Sequence, residues 1–262
     1  MPAENTTSSS SETGLFDIRV IGHGHVTEVV IDRPPHNFID AGLMTHLSAA
    51  LTALDTDDNC RAIVLASEGK NFCAGADFSR DRPDAGAIYD IAIPLFDLTK
   101  PMVAAVQGAA VGAGVGLAVM ADFRIGTPAS RFSVGFNRLG FHPGFGLSHT
   151  LPHLIGAQQA ALLFYTGRRI DGARALQIGL VDELVEPGKE RVAALALALE
   201  IAQSAPLAVQ STRKTLRQRL VQDVRKFNHR ERQEQSLHFG TKDFQEAIRA
   251  AAARETPNFK GE

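Results

Sequence analysis

Between residues 15 and 31 the sequence LFDIRVIGHGHVTEVVI places short β-branched runs on either side of a Gly-His-Gly turn, which predicts a β-hairpin. RPPHN (33–37) interrupts it, because proline restricts both itself and the residue before it. Leu43, Leu47, Leu51 and Leu54 then fall at helical spacing and predict a helix over 39–54. RAIVLAS (61–67) reads as a buried strand, GKNFCAGADFS (69–79) as a glycine-bearing loop, and 88–98 as a helix. MVAAVQ (102–107) and DFRIGT (122–127) are further strands. Strands alternating with helices predict an α/β fold with much parallel pairing. From about Ala193 the pattern is helical nearly throughout, broken at Pro206. The predicted division is a disordered tail over 1–13, a core over 14–195 and a C-terminal helical region over 196–262. Arg213, Lys214, Arg217, Arg219, Arg225 and Lys226 in that region read as a solvated helix face rather than a phosphate patch.

Composition narrows the class. A chain of 262 residues with 44% hydrophobic and 21% charged residues suits one large domain, or one domain with a small appendage. The formal net charge of -2 gives no reason to expect nucleic acid or an anionic membrane as partner. Two cysteines, Cys60 and Cys73, do not make a disulfide framework, so a reduced, cytoplasmic setting is expected. No apolar run reaches the roughly 18 residues of a bilayer span. The opening MPAENTTSSSSETG lacks the basic and apolar parts of a secretory signal and is expected to be disordered.

The chemistry concentrates around GAAVGAGVGLAVMADFRI (108–125). Its first 14 residues contain four glycines and five alanines and no ionisable group. A dinucleotide fingerprint fails, because Leu117 stands where the third glycine is needed and Asp122 comes too early for the ribose. A P-loop fails for want of a lysine. G-x-S-x-G, H-E-x-x-H and C-x-x-C are absent. His149 and His153 are one helical turn apart but lack a third ligand. What remains is backbone: small-sided turns that follow strands and lead into helices expose unsatisfied N–H groups. Two of them aimed at one point make an oxyanion hole. CAGAD (73–77) and VGAGVG (111–116) both suit that role.

These two loops, read together, resemble the crotonase (enoyl-CoA hydratase/isomerase) superfamily. The likeness extends through RPPHN, SRFSVGFNRLGFHPGFGLSHTLPHLIG (130–156), GLVDELV (179–185) and the ending DFQEAIRAAAARETPNFKG. The resemblance implies a spiral of ββα units with a C-terminal helical region that assembles trimers or dimers of trimers. It implies an acyl-CoA substrate, with coenzyme A carried by the substrate and no other cofactor or metal. Ala76 and Ala113 then supply the two oxyanion N–H groups. Ala74 and Phe78 are expected near the adenine end of the ligand, and Arg254 near its phosphates.

The sequence departs from the family where proton transfer is done. The family's two glutamate positions fall on Gly116 and on Phe136, the last residue of Phe132-Ser133-Val134-Gly135-Phe136. No glutamate lies between Glu68 and Glu183. A positioned acid or base is worth about 10²- to 10⁴-fold in rate, so classical hydration is expected to be weak. Gly116 and Phe136 instead read as walls of an apolar acyl pocket. His142 is the first candidate to replace the missing acids, followed by Tyr89, Asp81 and His36. Cys73 reads as a small buried residue, and Asp77 and Asp122 as braces of strand ends. Two readings stay open: an acyl-CoA lyase or isomerase with an unusual acid–base set, and a non-catalytic acyl-CoA binder.

Overall fold

The computed structural model describes residues 12–15, 17–77 and 85–262. The chain opens with β1 (Glu12–Leu15), β2 (Ile18–His23) and β3 (Val26–Ile31), followed by α1 (Ala41–Thr56) and β4 (Ala62–Ser67). Helix α2 (Ala85–Ala92) gives way to a 3₁₀ turn over Ile93–Asp97. Next come β5 (Met102–Val106), β6 (Ala109–Val111), α3 (Ala113–Met120), β7 (Phe123–Gly126) and β8 (Arg131–Ser133). A second 3₁₀ turn (Phe136–Leu139) leads to α4 (Leu147–Ile155), α5 (Ala157–Thr166), β9 (Ile170–Asp171), α6 (Gly172–Gln177) and β10 (Glu183–Leu184). The chain finishes with α7 (Glu190–Ala202), α8 (Pro206–His238) and α9 (Lys242–Ala253).

One sheet has the order β1-β2-β3-β4-β5-β7-β10 and a second the order β6-β8-β9. The predicted hairpin is β2 and β3, antiparallel and turning at Gly24 and His25. From β3 to β10 the large sheet is parallel. Successive turns of the chain place one strand in each sheet and then a helix: β5, β6, α3, then β7, β8, α4. This is the expected ββα spiral.

Both faces of the large sheet are covered, so β4 is buried along its whole length. Ile63, Leu65, Met102, Ala104 and Val106 face the main core with Leu43, Leu47 and Leu51 of α1. Val30, Ala62, Val64, Val103 and Ala105 face the opposite way, onto Ala194, Ala198 and Ala202 of α7. Alanines four residues apart share one helix face and let α7 approach closely.

The structure corrects four expectations. The division at 195/196 cuts through α7, which belongs to the core; the chain leaves the sheet after Ala202, where Pro206 starts α8. Residues 1–11 of the expected tail lie outside the described residues, but Glu12 and Thr13 pair with Ile21 and Val20 in β1. The helix expected over 88–98 tightens to 3₁₀ at Pro94, whose ring cannot continue α-helical bonding. Arg213 and Arg217 are not on a solvated face: both are buried against Asp122. Asp122 does brace a strand end, accepting from Met102 N at 2.8 Å.

Candidate active site

The two small-sided loops are laced together by backbone hydrogen bonds. Cys73 N donates to Ala109 O at 3.1 Å, and Val111 N donates to Cys73 O at 2.9 Å. The Cys73 loop thereby becomes an extra rung beside β6. Gly114 makes this possible. A Cβ there would collide with the Cys73 carbonyl oxygen and come within 3.0 Å of its carbon.

Ala74, Ala76 and Ala113 border one cavity of about 270 Å³. The Ala113 N–H is in the first turn of α3, where no intrahelical acceptor exists. On the other loop, the ladder bond runs from Ile39 N to Gly75 O at 2.8 Å and does not use the Ala76 N–H. Both N–H groups expected to form the oxyanion hole therefore border the same space. The positive end of the α3 dipole points there too, which favours developing negative charge.

The rest of the wall is mainly apolar. Ile88, Phe136, Leu139, Phe141 and Phe239 contribute to it, and no Asp or Glu is among its described lining residues. Phe136 is 7% exposed and packs edge-on against Phe141 at 5.5 Å. Its ring lies beside Gly112 at the start of α3. Gly116 is not a wall of the cavity. The ring of Phe145 lies on it, so a Cβ at 116 would be 2.5 Å from Phe145 Cγ and 3.0 Å from Phe145 Cβ. Glu at 116 therefore lacks room while Phe145 is in place. Gly116→Glu is expected to cost about 1–3 kcal/mol through overpacking, visible as a lower thermal midpoint.

Phe145 is held in an uncommon conformation, with φ at +65°. Its neighbours are fixed by Glu231 of α8, which is fully buried. The Glu231 carboxylate accepts from Gly146 N at 2.7 Å, Ser148 N at 2.8 Å and Ser148 Oγ at 2.5 Å. It thus serves as the N-terminal cap of α4, which has no cap of its own. Burial pushes the Glu231 carboxyl above its usual range, against the pull of these hydrogen bonds.

Tyr89 also lines the cavity and meets Phe145 edge-on at 6.2 Å. Gln235 Nε2 donates to the Tyr89 hydroxyl at 3.1 Å and to the His142 carbonyl at 2.9 Å. Burial raises the Tyr89 phenol well above its ordinary value, so it stays neutral.

Other expected site residues are elsewhere. His142 lines a second cavity of about 520 Å³ with His238 and Asp243, which shares Phe141 with the first. Its Nδ1 donates to Pro143 O at 2.8 Å, and its ring stacks at 6.5 Å on that of His238. His142 is not among the described residues that border the cavity of the two N–H groups it was expected to serve. Arg254 caps the C-terminus of α9 in a left-handed conformation, exposed, and borders neither cavity. Phe78 and Asp81 lie outside the described residues. His36 and Asn37 are braces: His36 O accepts from Ala74 N at 3.1 Å, and Asn37 Nδ2 donates to Glu68 O and Asn71 O at 2.8 Å each. Cys73 is fully buried, and that burial pushes its thiol up to about 12, so it is no nucleophile at neutral pH.

Three polar lining side chains were not anticipated: Ser133, Arg138 and Arg169. Ser133 and Arg138 lie in the family-like stretch 130–156, but nothing in it marks them as site residues. Ser133 and Arg169 converge because β8 lies between β6 and β9, and Arg138 comes from the 3₁₀ turn that follows β8. Among the described residues, no group of three or more His, Cys, Asp or Glu is placed to hold a metal ion.

The fold recurs in known proteins. Residues 22–262 match the family model described as enoyl-CoA hydratase/isomerase. The chain is 31% identical over 254 residues to a 2,3-dehydroadipyl-CoA hydratase of Escherichia coli K12, covering 94% of this chain and all of that one. It is 34% identical over 209 residues to a carnitinyl-CoA dehydratase of Salmonella arizonae, covering 76% and 80%. The crystal structure of an enoyl-CoA hydratase/isomerase from Pseudoalteromonas atlantica superposes with a TM-score of 0.85 at 25% identity, covering 93% of this chain and 100% of that one. A family match over residues 22–262, together with a relative at 31% identity covered along its whole length, shows that the chain belongs to the enoyl-CoA hydratase/isomerase family.

Proposed function

We propose that the protein is a crotonase-type enzyme that binds an acyl-CoA thioester with its carbonyl oxygen between the Ala76 and Ala113 N–H groups. The observation that carries this reading is that both N–H groups border one apolar cavity beside the start of α3. Such donors act by stabilising the enolate oxygen, at roughly 2.7–4 kcal/mol for one donor. A more stable enolate makes the carbon next to the thioester easier to deprotonate. Coenzyme A belongs to the substrate and no other cofactor takes part. The buried, unpaired thiols of Cys60 and Cys73 suit a cytoplasmic setting, and the assembly is a trimer or a dimer of trimers.

Water addition by paired carboxylates is not the reaction we propose. The cavity's described lining has no carboxylate, and Phe136 and Phe145 occupy the ground where such groups would stand. The same observation favours one alternative, a binder that has kept the oxyanion hole and lost the chemistry.

The carbonyl reading is tested by comparing crotonyl-CoA with its thioether analogue, which lacks the carbonyl oxygen. Two hydrogen bonds at about 0.5–1.5 kcal/mol each predict roughly 5- to 150-fold weaker binding of the thioether by calorimetry. Equal affinity would overturn the assignment. Loss of crotonyl-CoA enone absorbance is expected to be slow or absent, and turnover at ordinary hydratase rates would refute the doubt about hydration.

A further inference from the structure

Among its described lining residues the cavity carries positive charge with no acidic group beside it. Arg138 and Arg169 both line it. Both are exposed, and neither side chain makes an ion pair or hydrogen bond with a described residue. Every other described lining residue is uncharged.

Their position relative to the oxyanion donors follows from strand register. Val111 of β6 pairs with Ser133 of β8. Phe132 of β8 pairs with Ile170 of β9 in antiparallel sense, which sets Ser133 opposite Arg169. Val111, Ser133 and Arg169 therefore lie on one line across the small sheet, and all three border the cavity. At about 4.8 Å per strand, the Arg169 backbone is roughly 10 Å from that of Val111. Val111 is two residues before the Ala113 donor. Arg138 joins from the 3₁₀ turn. Its stem lies across Gly167, where a Cβ would be 2.6 Å from Arg138 Cδ and 2.7 Å from Cγ. A glycine is needed there for the Arg138 stem to cross towards the Arg169 strand.

Resting on the acyl-CoA reading above, we propose that Arg138 and Arg169 bind a carboxylate at the far end of the acyl group. The substrate is then the CoA thioester of a short dicarboxylic acid. The cavity's volume of about 270 Å³ suits a short acyl chain, and its two arginines suit an anion at the end of that chain. Arginine suits this task because its planar fork meets a carboxylate with two parallel hydrogen bonds. The Ser133 hydroxyl, on the line between the two ends, makes no hydrogen bond with any described group and is free to meet a polar substituent along the chain.

The test measures dissociation constants of adipyl-CoA, hexanoyl-CoA and free CoA, with wild type, with Arg138→Ala/Arg169→Ala and with Arg138→Lys/Arg169→Lys. Wild type is expected to prefer adipyl-CoA over hexanoyl-CoA by roughly tenfold or more, the worth of one charge-assisted hydrogen bond. The alanine pair is expected to bring that ratio near one, and the lysine pair to keep part of it. Equal affinity of wild type for the two thioesters overturns the proposal and leaves the acyl-CoA reading standing. So does a loss of the same factor for free CoA, which would assign the arginines to coenzyme A phosphates. Failure of every CoA thioester to bind overturns both readings together.

Discussion

Gly114→Ala is expected to destabilise the protein and abolish tight thioester binding. On helix propensity alone the change is favourable, since alanine exceeds glycine by up to about 1 kcal/mol in a helix interior. The steric term decides the sign. The new Cβ meets the Cys73 carbonyl oxygen, which is backbone and already accepts from Val111 N. It cannot turn away as a flexible side chain would. Either α3 retreats from the Cys73 loop or the Cys73–Val111 bond breaks, and overpacking of this kind costs about 1–3 kcal/mol, occasionally more. A domain of this size loses about 2–4 °C in thermal midpoint per kcal/mol. Both outcomes also separate the Ala113 N–H from the Ala76 N–H. Acyl-CoA affinity is thus expected to fall further than stability does. Differential scanning calorimetry and titration with acyl-CoA measure the two effects. An unchanged midpoint with unchanged affinity would show that the two loops are not held at this distance.

The same contact explains why part of the site was legible in the sequence. Donor loops built from backbone N–H groups need small residues around them, so CAGAD and VGAGVG carry their role in composition. The strands were legible for a similar reason, since an apolar β-branched run such as RAIVLAS has few other uses. Side-chain direction was not legible. His142 is close to Phe136 in sequence, yet it borders the second cavity while Phe136 borders the first, and Phe141 between them borders both. Phe145 was missed because a left-handed φ is a property of its setting, fixed by Glu231 some 86 positions later. Ser133, Arg138 and Arg169 are ordinary residues until the β6-β8-β9 register and the 3₁₀ turn after β8 bring them to one wall. Helix α7 was assigned to the wrong region because an alanine-rich helix looks the same whether it covers a sheet or joins a helical appendage.

Asp122→Ala is expected to be the most destabilising change outside the cavity, at about 3–5 kcal/mol. The carboxylate is 16% exposed and stands between two arginines of α8, Arg213 at 8% and Arg217 at 12%. Its Oδ2 accepts from Arg213 Nε and from Met102 N, and its Oδ1 accepts from Arg217 Nη1, each at 2.8 Å. The arginines have further partners, because Arg213 donates to Leu98 O and Arg217 to Met120 O at 3.0 Å. Burial already pulls the Arg217 guanidinium below its usual pKa with Asp122 present. Removing the acid leaves two buried cations without their counter-charge and the Met102 N–H without an acceptor. The damage should also reach the site, since α8 carries Glu231 and Gln235, which hold Phe145 and Tyr89 in the cavity region. Urea unfolding gives the stability loss. The triple variant Asp122→Ala/Arg213→Met/Arg217→Met separates charge from packing: with the cations removed as well, most of the loss should be recovered. A triple variant as unstable as Asp122→Ala would mean that this junction depends on the hydrogen bonds to Leu98, Met120 and Met102 more than on the balance of charge.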